Sequence, residues 1–467
     1  MTAGPAASAQ VLLHRADELR HNLSGNFRDQ LVQAIYIDAE AIARRSVKPI
    51  GTRRWDLDQQ LDRIVTSPVF GLPIMLLILA AVFWLTVTGA NVPSNMIAAV
   101  LFWIEDKAAA MFDAAGVPWW ITGFLWHGTY RGLAWVVSVM LPPMAIFFPC
   151  FTILEDLGYL PRVAFNLDWL FKKAGAHGKQ SLTMSMGFGC NAAGVIACRV
   201  IDSPRERLIA ILTNNFVPCN GRFPTLILLA TVFVAAAFPP AFASVAAAGS
   251  VVMVVVIGVL FTLVVSALLS RTVLKGEASV FTLELPPYRR PDIRRILYTS
   301  LIDRTIFVLW RAIQTAAPAG AAIWVLGNIA ISGQPLAAHG ANFLNPLGVA
   351  IGLDGVILLA YIIAIPANEI VVPTMLMMYM GVGMMTDVPV YSELKNLLVV
   401  QHGWTMLTAV NLMLFSLLHN PCATTILTMW KETHSLKWTT FGALGPLALA
   451  FAVCFVTATF ARLIGWV

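Results

Sequence analysis

The sequence predicts an all-α fold, a polytopic membrane helix bundle of two inverted halves interrupted by broken or re-entrant helices. Three observations predict it. Of 467 residues, 58% are hydrophobic and only 12% charged, with a mean hydropathy of +0.75, far from the make-up of a soluble domain. Several apolar runs of about twenty residues are each long enough to cross a ~30 Å hydrocarbon layer. A Pro-Cys pair also recurs, as Pro218-Cys219 and Pro421-Cys422, each time inside such a run, where proline breaks a helix.

Charge and cysteine usage narrow the class. The formal charge of +6 comes from lysines and arginines at the ends of apolar runs, which points to basic cytoplasmic loops and a lipid bilayer as partner, with no nucleic acid. Six cysteines (150, 190, 198, 219, 422 and 454) lie within or beside apolar segments and are expected as free thiols. The first sixty residues are polar and contain no short apolar core before a small-residue site, so a cytoplasmic N-terminus is expected. The nearest approach to a phosphate-binding loop, Gly175 to Ser181, lacks the required spacing. Neither an enzyme nor a cofactor is expected.

Taken in order, residues 1–66 form a polar, helix-prone cytoplasmic segment in which Leu31, Ile35 and Ile42 can share a face, followed by Arg44-Arg45, Lys48 and Arg53-Arg54. A first transmembrane half, 67–275, begins with a span over about 69–89. Few basic residues and tryptophans 103, 119, 120 and 126 place 90–130 outside. The chain returns over 133–154, through Pro142-Pro143 and Pro149, and ends at Glu155-Asp156. Basic residues on both sides make 187–198 re-entrant; 208–237 crosses with a break at Pro218, and 249–269 returns. Residues 276–308 are a basic cytoplasmic loop. A second half, 309–467, repeats the plan: spans over 312–331 and 347–365, an apolar segment from Pro366 to Gly383, a span over 404–431 broken at Asn420-Pro421-Cys422, and a last span over 438–463. Counted this way, the two Pro-Cys spans run in opposite directions, the relation of an inverted repeat whose broken helices meet near the midplane.

The stretch from Met184 to Thr225 concentrates the chemistry. Backbone groups freed by glycine and proline are tolerated in hydrocarbon only where they are buried in protein or line a polar cavity. Breaks that also carry a soft sulfur donor suit a transition metal over Mg²⁺ or Ca²⁺. Cys190, Cys219 and Cys422 are the expected thiolate donors, acting in succession or in part, because three at once would trap the ion. Membrane cysteines are often simple packing residues, which is the reading adopted for Cys150, Cys198 and Cys454. Glu369, alone in a long apolar stretch, and Glu155 are expected as carboxylate donors that suit Fe²⁺ or Mn²⁺, with Asp156 beside them; Glu155 and Asp156 alternatively cap a span near Arg162. Asn191, Asn220 and Asn368 either satisfy freed backbone groups or offer a carbonyl, and Asn191 is placed among the metal donors. Met186, like Met184, is an outer thioether or filler. His419 is a ligand, a proton carrier or a packed histidine. Arg222 is a gate element.

Several of these residues also carry a resemblance. Glu155-Asp156-Leu157-Gly158-Tyr159, Arg162-Val163-Ala164-Phe165, His177-Gly178-Lys179, Met186 through Asn191, the Cys219/Arg222/Pro224 cluster, Glu369-Ile370-Val371-Val372 and Pro421-Cys422-Ala423-Thr424 look like the membrane domain of the bacterial ferrous iron transport protein B (FeoB) family, from about Asp62 onward. The resemblance implies two gate-like repeats and Fe²⁺ import, with Fe²⁺ as substrate, across the bacterial inner membrane. The family's N-terminal GTP-binding domain is not found in this sequence. A separate G protein or small Feo-type cytoplasmic protein is therefore an expected partner, and self-association another. Ala192-Ala193 follows Cys190-Asn191, and Asn368 precedes Glu369, where the family usually has a proline and a lysine. Two other readings stand beside transport of a divalent metal: a nucleoside or small-solute transporter of the same fold, and a metal-sensing membrane subunit without transport.

Overall fold

A computed structural model describes residues 27–46, 57–67, 69–275, 288, 290–385 and 391–465. Lys48, Arg53, Arg54, Arg289 and the 276–287 part of the basic loop lie outside the described residues. Among the described residues five helices are long and apolar enough to cross a membrane, or six if one sharply bent pair counts as a span. The chain is an all-α, multi-pass membrane protein.

Helix α1 (Phe27–Ser46) places Arg44 and Arg45 in its last turn, where cations meet the negative helix end, and leaves Leu31, Ile35 and Ile42 exposed. Helix α2 (Leu57–Val65) follows. The first span differs from expectation. Helix α3 runs unbroken from Gly71 to Ala114, 44 residues, or roughly 66 Å at 1.5 Å per residue, twice the hydrocarbon thickness. Helix α4 (Trp119–Asp156) returns alongside it. The stretch 90–130 is thus a helical hairpin, not a loop. Its buried acid is met from the returning helix: Glu105, fully buried, lies 2.7 Å from His127 Nδ1 and 3.1 Å from Arg131 Nη1. The few basic residues and the tryptophans by which 90–130 is read are compatible with helix, and the buried Glu105 finds partners on the facing helix.

Helix α5 (Tyr159–Lys173) is followed by α6 (Gln180–Gly189), α7 (Asn191–Ala197) and α8 (Pro204–Thr213), the last capped by the Ser203 side chain, which accepts from Glu206 N. Then come α9 (Phe223–Ala237) and the uniformly apolar α10 (Pro240–Arg271). The described end of the basic loop is helical, with α11 (Ile293–Tyr298) continuing through wide turns over Thr299–Ile306 into α12 (Phe307–Asn328). A two-residue hairpin, β1 (Ala330–Ile331) and β2 (Gln334–Pro335), turns through Ser332 and Gly333, both at positive φ as such turns require.

The crossing expected over 347–365 is not one helix. Helices α13 (Leu336–Ala350) and α14 (Gly355–Ile363) meet at 113°. Gly352, at φ 72°, makes the bend, and Asp354 starts the new helix by accepting from Ile357 N at 2.8 Å. After α15 (Val371–Met380) and the short α16 (Tyr391–Lys395), α17 (Met406–Leu418) and α18 (Ala423–Thr433) flank the predicted break at Asn420-Pro421-Cys422. Helix α19 (Leu436–Leu463) closes the chain, close to the predicted 438–463. Asn411 ties α17 to α19, donating to Cys454 O and accepting from Thr457 Oγ1 at 2.6 Å. A single large apolar core runs through both halves and includes Phe148, Val217, Leu226, Ile357, Leu376 and Phe415.

Candidate functional site

Four interruptions of helix meet in this core. Between α6 and α7 only Cys190 is extended (φ −154°, ψ 125°). Between α14 and α15 the equivalent residue is Ala367 (φ −152°, ψ 117°), followed by a 3₁₀ turn, Asn368–Ile370. The other two interruptions carry the Pro-Cys pairs. The amide after each pair donates to one of the first two: Asn220 N to Gly189 O at 3.3 Å, and Ala423 N to Ile365 O at 2.8 Å. Carbonyls freed by one break thus accept from the next, which answers the hydrogen-bond requirement of a low-dielectric interior.

Side chains complete the stitching. Asn214 Nδ2 donates to Asn191 O (3.0 Å), and Asn215 Nδ2 donates to His419 O (2.7 Å). The Asn191 amide, oriented to donate, reaches Gly187 O at 3.1 Å and Val217 O at 3.2 Å. Arg222, 1% exposed, bonds carbonyls of both Pro-Cys breaks. Gly187 and Gly194 are required here, because a β-carbon on either would sit within 3 Å of the Asn214 amide.

The four breaks enclose a cavity of about 30 Å³, roughly the room of one water molecule. Its wall contains Cys190, Cys219, Cys422, Glu369, Asn191 and Asn368, six of the twelve residues singled out in the sequence. Gly221 faces Glu369 so closely that a β-carbon there would overlap the carboxylate. Cys422 Sγ lies 3.3 Å from Thr425 Oγ1. Among the described residues no three His, Cys, Asp or Glu side chains form a ready-made metal cage. The donors share a wall without converging on one point.

The remaining candidates lie elsewhere. Glu155, expected among the donors, is exposed at the last turn of α4, and Asp156 is half-buried beside it; neither lines the cavity, because α4 ends there at left-handed Gly158. Met186 is half-buried on α6, off the cavity, with its carbonyl accepting from Cys190 N. Asn220 contributes its backbone amide. His419 is packed against Tyr361 and Phe415, and its Nδ1 lies 2.8 Å from Ser416 O, the geometry of a hydrogen-bonded packing residue.

Among the wall residues that escaped the sequence reading are Thr425 and two methionines of α4, Met140 and Met144. The signal was available, since the two methionines flank Pro142-Pro143 at a spacing of four and so share a helix face. Away from the cavity, Arg162 ties α2 to the start of α5. It donates to Asp62 Oδ1 (2.7 Å) and Gly158 O (2.6 Å) and stacks 3.9 Å over the Tyr288 ring. The hydrogen bond from Arg162 holds the Asp62 carboxyl below the usual carboxylate range.

Broken helices stitched around a small sulfur-lined cavity define a multi-pass membrane protein of gate type. The Gate family, described as Nucleoside recognition, matches residues 137–233, and Ferrous iron transport protein B C terminus matches 251–303. The chain is similar to the membrane part of the FeoB family. It is 29% identical to the Fe(2+) transporter FeoB of Staphylococcus aureus (strain MSSA476) over 85% of this chain and 58% of the relative. Against FeoB of Synechocystis the identity is 28%, over 88% and 64%, and against that of Campylobacter jejuni it is 26%, over 88% and 66%. The chain thus spans about three-fifths of the length of these relatives. No solved structure matches it.

Proposed function

We propose that this chain conducts a divalent transition metal, Fe²⁺ foremost, inward across the bacterial inner membrane through the cavity bounded by Cys190, Cys219, Cys422 and Glu369. One observation carries the reading: three thiols from three separate helix breaks and the one acid of the 366–383 stretch share a wall around a space the size of one ion. Similarity to Fe²⁺ transporters supports the choice of metal.

Thiols and thioethers favour a borderline ion over Mg²⁺ or Ca²⁺, and the carboxylate lowers the cost of bringing a dication into low dielectric. Because the donors do not converge, the ion is passed between partial shells, binding firmly enough to enter and weakly enough to leave. We read the paired breaks, 190 with 219 and 367 with 422, as inverted repeats; the matching backbone of Cys190 and Ala367 and the matching amide-to-carbonyl bonds support this. A G protein or a small Feo-type cytoplasmic protein is the proposed regulator.

The Gate description favours nucleosides as a second reading, but a cavity of about 30 Å³ falls far below the ~300 Å³ at which small-molecule sites begin. Flux of Fe²⁺, Mn²⁺, Zn²⁺ and Co²⁺ into liposomes containing the purified chain tests the proposal. Uptake that Cys219→Ser and Cys422→Ser reduce supports it. Flux unchanged in both variants rejects the site, and stoichiometric binding without flux selects a sensor.

A further inference from the structure

The guanidinium of Arg222 sits where two helix ends meet. Nη1 donates to Asn215 O (2.7 Å) and Leu417 O (2.9 Å). Nη2 donates to Asn215 Oδ1 (3.0 Å), His419 O (3.3 Å) and Asn420 O (3.4 Å). Four of these five acceptors are main-chain carbonyls. They come from the C-terminal ends of two helical stretches, Asn214–Phe216 beyond α8 and Leu417 onward at the end of α17, where the peptide dipoles present their negative poles. Among the described residues Arg222 forms no ion pair, and every hydrogen-bond acceptor of its guanidinium is an amide carbonyl oxygen. The fit is one of charge more than of shape, since Nε is buried without a hydrogen-bond partner.

Carbonyls at the ends of broken helices, close to the midplane, are the kind of ligand set that holds an alkali cation in transporters with interrupted helices. We propose that this carbonyl cage is a monovalent-cation site filled from within. Arg222 is a tethered cation that locks the first Pro-Cys break onto the second, so the contact forms without bound Na⁺ or K⁺. The side chain acts as a positioning residue, bonding the carbonyls that precede Cys422 while standing on the same turn as Cys219. The inference does not depend on which solute uses the cavity.

The test is the melting temperature of the purified full chain in detergent, in choline, sodium or potassium chloride at equal ionic strength. Wild type should be indifferent to the cation. Arg222→Ala should melt lower in choline and regain about 3 °C or more in Na⁺, K⁺ or low-millimolar guanidinium. A variant indifferent to all of these, or a wild type stabilised by Na⁺ or K⁺ as strongly as the variant, overturns the proposal. If Arg222→Ala cannot be recovered, Arg222→Lys and Arg222→Gln decide. Lysine supplies a compact cation and glutamine a neutral donor, so lysine should be the more stable; glutamine equal to or above lysine overturns the proposal.

Discussion

The interruptions at Cys190 and Ala367 have nearly the same backbone and different side chains. Both residues are extended, within 2° in φ and 8° in ψ, and an asparagine follows each. Both segments accept a hydrogen bond from the residue after a Pro-Cys pair. What they present to the cavity differs: a thiol at 190, a methyl at 367, and a carboxylate two positions later at 369. Sequence alignment of the Pro-Cys pairs shows the same contrast, with Gly221 opposite Thr424 and Arg222 opposite Thr425. On the proposed reading, the similar backbone of the two breaks sets where an ion would rest, and the unequal side chains set which ion is preferred, with sulfur weighted toward the first half and oxygen toward the second.

The largest expected effect comes from the oxygen side. Glu369→Gln should lower metal flux by about 100-fold, at the upper end of what losing a supporting partner costs a metal site, because a dication then enters without its carboxylate; flux within twofold of wild type would break the contrast. Next is the exchange of the paired positions. Cys190→Ala should weaken metal binding by about tenfold, whereas Ala367→Cys should tighten binding and slow turnover by adding a thiol to the wall, both read from titration and initial rates.

Gly221→Ala should come third. Its β-carbon would collide with the Glu369 carboxylate, costing about 1–3 kcal/mol of stability and reducing flux, while Gly249→Ala, in open space, should do neither. The smallest effect is expected outside the membrane. Asp62→Asn should speed amide exchange over 57–65 and cost no more than about 1 kcal/mol. Arg162 holds the folded Asp62 carboxyl below its usual pKa. The contribution of this pair is therefore complete above pH ~4 and is lost only as pH falls through the lower folded value. Protection factors over 57–65, corrected for the intrinsic pH dependence of amide exchange, should be unchanged from pH 7 to 5, and a loss of protection already at pH 6 would contradict the pairing.

Much of this could be read from the chain. Pro218, Pro421 and the glycines before Cys190 marked the interruptions through their local backbone chemistry, although Pro93, Pro142, Pro143, Pro149 and Pro446 lie inside helices that continue through them. The last span was placed within two residues at its start by its long apolar run. Glu155 was misleading. A carboxylate at a membrane boundary has the same local signature whether it faces a cavity or ends a helix, and Gly158 made it the latter. The hairpin over 90–130 was hidden because Glu105 finds its partners, His127 and Arg131, 22 and 26 residues away on the returning helix. Met140 and Met144 were passed over because methionine is common filler in apolar helices.

Apolar run length, helix-breaking residues and side-chain chemistry are properties of short segments, and the sequence alone determined the all-α membrane class, the breaks at Cys190, Pro218 and Pro421 and most of the cavity's sulfur, though not the bend at Gly352. Only the tertiary structure decided which breaks meet, which donors share one wall, and that Arg222 bonds carbonyls up to 198 residues away. Those outcomes depend on closing long loops around buried polar groups that have no other partners, a condition that local sequence does not encode.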